Sequence, residues 1–114
     1  MTNKRKHQRI AIDQNIDLFL YDRNKDSPMT GQVTASLLNL SKQGARLKFP
    51  QVFIDGKHLF YTALHSPTIF LSLVFRSVEG DPEKITTLLA RPVWLDRDME
   101  DSTMPFRMGV QFVD

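Results

Sequence analysis

Cysteine is absent from the 114-residue chain, which excludes disulfides and thiolate metal sites and agrees with a reducing compartment. Long apolar runs are missing too. The longest, Ile69 to Phe75 with Ser72 inside it, is about a third of the roughly 20 residues that a bilayer-spanning helix needs, so no membrane segment is expected. The basic N-terminus leads into an alternating pattern with Asp13 and Asp17, not into the apolar block of a signal peptide, and the expected location is the cytoplasm. No glycine-rich phosphate loop is present, and His7, His58 and His65 share no metal-ligand spacing. Ser41 lacks the flanking glycines of a nucleophile elbow and has no identifiable base. The sequence therefore predicts no catalytic residue, no metal and no cofactor: a non-enzyme.

A sustained 3.6-residue apolar period and internal repeats are also lacking, and the patterning that is present has period two. Ile10, Ile12, Ile16, Leu18 and Leu20 alternate with Ala11, Asp13, Asn15 and Asp17, which predicts a strand with one buried face. Asp22 to Gly31 reads as a loop. Val33, Ala35 and Leu37 alternate until the pattern switches to Leu38 and Leu40, which implies a bulge or the end of regular pairing. Ala45, Leu47 and Phe49 resume it after a tight polar connection, so the two runs form a hairpin. Asp55-Gly56 signals a type I′ hairpin between Val52-Phe53-Ile54 and His58-Leu59-Phe60, with a short helix as the alternative in that segment. Ile69 to Phe75 is a strand whose second face, with Phe70 and Val74, is expected to be covered. After a turn at Ser77 to Lys84, Ile85 to Leu95 is a strand interrupted at Pro92, which implies an edge or a bulge. Phe106, Met108, Val110 and Phe112 mark a last inward-facing strand. With 41% hydrophobic residues the chain can bury one core, and about six strands with polar turns give a single all-β domain, a barrel or a sandwich.

Two stretches stand out chemically. Four of the fifteen basic side chains lie between Lys4 and Arg9, with no acidic residue before Asp13, a composition suited to an anionic partner. In Asn39-x-Ser41-x-x-Gly44 the amide and hydroxyl can bond nearby backbone, and the glycine either supplies a positive φ or lets a ligand approach the backbone closely. Arg5 and Arg9 carry planar guanidiniums able to grip a phosphate or the O6/N7 edge of guanine, so the two stretches together suit an anionic guanine nucleotide. Trp94 offers a stacking face if it points outward, as it would with Val93 and Leu95 inward. A bulge that flips the register at Pro92 would favour a core tryptophan.

Arg5-x-x-x-Arg9 followed by Asn39-x-Ser41-x-x-Gly44 resembles the paired RxxxR and (D/N)xSxxG signature of the PilZ domain family. Arg46-Leu47, Val93-Trp94 and Met108-Gly109-Val110-Gln111-Phe112 extend the resemblance over most of the chain. The resemblance implies a six-stranded antiparallel β-barrel of PilZ-like, split-barrel type over residues 10–114, preceded by a flexible basic switch segment at 1–9. It also implies a bacterial receptor for cyclic di-GMP. In that reading Arg5 and Arg9 contact guanine and phosphate, while Asn39, Ser41 and Gly44 shape the turn and bind the other guanine. Lys4 stands where members that bind an intercalated ligand dimer have arginine, and Trp94 is a further candidate contact.

The implied output is a signal to a downstream protein in motility, biofilm or exopolysaccharide control, from a monomer or a homodimer. Many family members end in a helix over one barrel mouth. Here the 51–67 segment or another subunit is expected to cover that end, and Phe53, Phe60 and Tyr61 make the segment a candidate partner surface. Two alternatives compete: a PilZ-like interaction module that binds no ligand, and a nucleic-acid-binding barrel of the OB type. The single basic cluster argues against nucleic acid.

Overall fold

The structure, a computed structural model, describes residues 10–76 and 85–113, with the backbone alone at 10–13. Lys4, Arg5 and Arg9 and the turn expected at Ser77 to Lys84 lie outside the described residues. Strands β1 (Ile10–Asp22), β3 (Val33–Leu40), β4 (Gly44–Phe49), β7 (Ile69–Arg76), β8 (Ile85–Arg97) and β9 (Phe106–Phe112) pair antiparallel in the order β1-β3-β4-β9-β8-β7. Pairing of β1 with β7 closes them into a six-stranded barrel. A two-residue strand, β2 (Ser27–Pro28), adds to β1 within the stretch expected to be loop.

The period-two pattern decides what fills the barrel. Ile16, Leu18 and Leu20 of β1, Ala35 and Leu37 of β3, and Ala45, Leu47 and Phe49 of β4 point inward. They meet Ile69, Leu71 and Leu73 of β7, Ala90 of β8, and Met108 and Val110 of β9. Phe106 and Phe112, expected inward, pack against this core while remaining partly exposed. The second face of β7 is covered as expected: Phe70 and Val74 are buried, and the Arg23 and Arg91 guanidiniums lie 4.7 and 4.4 Å from the Phe70 ring centroid.

Two bulges break the alternation, and both matter for the site. In β3, Leu37 pairs with Leu47 and Asn39 with Arg46, so Leu38 is the extra residue. In β8, Pro92 pairs with Val110 and Trp94 with Gly109, so Val93 is extra. The expectation that Val93 faces inward is corrected, since Val93 is exposed. Trp94 is nevertheless outward, and the reading corrected for it is the one in which a bulge at Pro92 favours a core tryptophan. Upstream, the inward positions of β8 are the even ones, Ala90 and Pro92, and an unbroken strand would send Trp94 into the core. The bulge turns Leu95 inward against the core and Trp94 outward.

Between β4 and β7, β5 (Phe53–Ile54) and β6 (Lys57–His58) form the expected hairpin, with φ of 54° at Asp55 and 78° at Gly56 as a type I′ turn requires. Leu59 and Phe60 do not continue the strand. They open a six-residue helix, α1 (Leu59–Leu64), which contacts β1, β7 and β8 and sinks Leu59, Phe60 and Ala63 into the barrel core. A helix this short has no intrinsic stability, and burial of those three side chains holds it.

His58 caps α1: its Nδ1 accepts from the amides of Phe60 and Tyr61, each at 3.1 Å. Only an unprotonated Nδ1 can accept, and partial burial lowers the His58 pKa from its ordinary 6.5. The cap's contribution is therefore complete above pH 6.5 and is lost as pH falls through the lowered value. His58→Ala is expected to cost about 1 kcal/mol at pH 7.5, as for other cap losses, and less at pH 5. Thermal melts of both proteins at the two pH values check this, and an equal cost at both would contradict it.

Candidate functional site

The outer surface of the barrel carries one row that runs across four strands. Asn39 of β3 pairs with Arg46 of β4, Arg46 with Gly109 of β9, and Gly109 with Trp94 of β8. Arg46 and Gly109 stand opposite the inward Ala45, Leu47, Met108 and Val110, so alternation alone sends them outward. Asn39 and Trp94 reach the same face only because Leu38 and Val93 are bulged. Gly109 lacks the Cβ that would overlap the indole, so the Trp94 ring lies across the β9 backbone. The Arg46 guanidinium sits 5.6 Å from the Trp94 ring centroid, within cation–π range.

The polar turn borders this row. The Ser41 hydroxyl accepts from the amides of Gln43 and Gly44, each at 3.3 Å, and the Ser41 amide donates to the Gly44 carbonyl at 2.9 Å. The turn is then tied to β9 by the Phe112 amide, which donates to the Gln43 carbonyl at 2.8 Å. Gly44 has no positive φ, contrary to one of its two expected roles. Its requirement is space: a Cβ there would overlap the Val110 carbonyl oxygen. The close approach is therefore made by β9, inside the fold. Ser41 likewise has a structural task, and the side chain of the motif that faces outward beside Arg46 is Asn39.

Together Asn39, Ser41, Gly44, Arg46, Trp94 and Gly109 line an open basin of about 210 Å³, a shallow surface depression smaller than the usual enclosed ligand pocket. Among the described residues Arg46 is the only charged one lining it, and its Nε is buried with no hydrogen-bond partner among them. The described lining thus offers one cation with a spare donor, three side-chain amides (Asn39, Gln43 and Gln111) and one partly exposed indole face. Such a set suits a planar base joined to an anion.

The structure brings Asn39, Ser41, Gly44 and Trp94 together as one site. Sequence reasoning assigned no role to Arg46 or Gly109. Arg46 was detectable as the first polar residue of an alternating strand directly after the turn, whereas the role of Gly109 depends on its register with Trp94.

β1 begins at this site. Ile10 pairs with Leu40 and Ala11 with Asn39, which puts the start of the strand beside the Asn39 end of the row.

The next row of the same face is also basic. Lys48 follows Arg46 by two residues on β4 and pairs with Arg107 of β9. The loop after β8 lies over both, with Lys48 Nζ 3.3 Å from Asp101 Oδ2 and Arg107 Nη2 2.6 Å from Asp98 Oδ2. The amide of Met104 holds the Asp101 carboxyl down to a pKa of about 2 against partial desolvation, with Thr103 and Lys48 adding to it.

Among the described residues no group of three or more histidines and carboxylates is placed to hold a metal, and no helix is long and apolar enough to cross a membrane. No family model and no curated protein matches the chain.

Proposed function

We propose that this protein is a cyclic di-GMP receptor of the PilZ type that passes the signal to a partner protein in motility, biofilm or exopolysaccharide control. The observation that carries the reading is the row Asn39–Arg46–Gly109–Trp94 bordered by the Ser41–Gly44 turn. Trp94 is the stacking face for one guanine, Arg46 the cation for a phosphate, and Asn39 a hydrogen-bonding group for a base edge.

Arg5 and Arg9 complete the site from the N-terminal side. The chain from Arg5 to Ile10 can span at most about 18 Å, and Ile10 is anchored beside Leu40, so both arginines are within reach of the basin. In this reading ligand binding closes this segment over the site through two charge-assisted contacts. The altered surface is what a partner reads.

Trp94 is the only tryptophan of the chain, which makes it a built-in reporter. Cyclic di-GMP is expected to change its emission saturably, while GTP and a short single-stranded DNA at the same concentrations do not. An equal response to the DNA would favour the nucleic-acid reading. A flat response to all three would favour the interaction module without a ligand.

A further inference from the structure

Alternation places Arg46 and Lys48 on the outer face of β4, and Arg107 faces the same way beside Lys48 on β9. Three cations thus occupy adjoining positions in two rows, about 7 Å apart along the strand. Arg46 is open to the basin, whereas Lys48 and Arg107 are neutralised by Asp101 and Asp98. The hydrogen bonds that shape the acidic loop are local. Asp98 accepts from the amide of Glu100, Asp101 accepts from those of Thr103 and Met104, and the Asp98 amide donates to the Pro105 carbonyl. The two ion pairs are additions to this frame, and their side chains are 20 to 38% exposed, a setting in which such pairs hold weakly. Arg107 Nε, like Arg46 Nε, is buried without a hydrogen-bond partner. A donor is therefore left over even with the carboxylate in place.

We infer that Lys48 and Arg107 form a second anion subsite adjoining the basin, held shut by Asp98 and Asp101, whose carboxylates stand where a phosphate of the ligand binds. The subsite takes a phosphate or phosphodiester group. Its occupation displaces both carboxylates and frees the 98–105 loop, giving a partner a surface that differs between the empty and the loaded protein. The inference deepens the cyclic di-GMP reading and rests on it for the ligand, but not for the subsite.

Inorganic pyrophosphate and cyclic di-GMP, titrated separately, test it. Asp98→Asn with Asp101→Asn keeps the carbonyl oxygens that shape the loop and removes the charges. This double variant is expected to bind pyrophosphate about tenfold more tightly, the effect of losing roughly one competing charge-assisted contact. Glu100→Gln, which removes one charge from the same loop at an exposed residue outside the ion pairs, gives the effect per unit of net charge, and the double variant, which removes two, is compared with the square of that fold-change. Adding Lys48→Met and Arg107→Met to the double variant should abolish the gain.

In the unmodified protein, pyrophosphate should shift the Arg107 Nε–H resonance and the amides of Asp98 and Asp101. A double-variant gain no larger than the square of the Glu100→Gln fold-change, or an Arg107 resonance that stays still up to saturation, overturns the subsite. If pyrophosphate behaves as expected and cyclic di-GMP fails to bind, the subsite stands and the receptor reading falls. If cyclic di-GMP binds and pyrophosphate shows neither the gain nor the Arg107 shift, the receptor reading stands and the subsite falls.

Discussion

Arg9→Ala is expected to weaken cyclic di-GMP binding by about 10- to 150-fold, the loss of one charge-assisted hydrogen-bonded contact of roughly 1.5–3 kcal/mol. The size of the effect follows from position. Arg9 precedes Ile10, whose backbone pairs with Leu40 at the edge of the basin, so little chain entropy separates the guanidinium from the ligand. Arg5→Ala falls in the same range. Arg9→Lys tests the nature of the contact: a lysine keeps the charge and loses the planar fork, so it should recover only part of the affinity. Calorimetry on the three variants decides the matter. An affinity for Arg9→Ala equal to that of the unmodified protein would remove the arginine pair from the site.

Gly44→Ala is expected to be the most damaging single-methyl change in the turn. The added Cβ would overlap the Val110 carbonyl, which is main chain and has no rotamer to yield. The β4–β9 ladder must then move apart locally, at a cost of about 1–3 kcal/mol, as for overpacked interiors. The same ladder sets Arg46 against Gly109, and hence Arg46 against Trp94. Affinity should fall by at least about tenfold, because a site loosened by roughly 1 Å loses its aligned contacts. A lower denaturation midpoint together with weaker binding supports this account. Unchanged values of both would show that Gly44 is not held as described.

The contrast between Gly44 and Trp94 shows how much the sequence could tell. The barrel was legible because strand alternation is explicit: Leu18 and Leu20, Leu47 and Phe49, and Leu71 and Leu73 each line one face of a strand and all fill the core. Both irregularities were legible as well, though each left an alternative to a bulge: the end of pairing after the doubled Leu37-Leu38, and an edge strand at Pro92, which cannot donate to a ladder. The direction in which the second bulge turns Trp94 was not. It depends on which face β8 buries upstream, and only Ala90 marks that face, since Leu88 and Leu89 are neighbouring apolar residues that favour neither. Helix α1 was hard to see for a related reason. Six residues hold less than two turns, so Leu59, Phe60 and Ala63 cannot establish a period.

The site was half legible. Asn39, Ser41 and Gly44 announce a turn through their chemistry; Ser41 and Gly44 do form one, while Asn39 is still a paired residue of β3. Their division of labour was not readable, because the tasks of Ser41 and Gly44 are set by amides and carbonyls across the turn and on β9. The same holds for Lys48 and Arg107, whose neutralisation by the acidic loop depends on where residues 98–101 fold.

The central claim is that the outer row and the N-terminal arginines form one cyclic di-GMP site. A nitrogen-15 NMR titration of the whole chain with cyclic di-GMP tests it most directly, because it reports every part of the site at once. The account predicts saturable, concerted shifts of the Trp94 Nε1–H, the Arg46 Nε–H and the Asn39 side-chain amide, together with those of Arg5 and Arg9, and small changes at the Phe53–Tyr61 surface. Absence of shifts along the Asn39–Trp94 row at saturating ligand, or shifts confined to another face of the barrel, would contradict it.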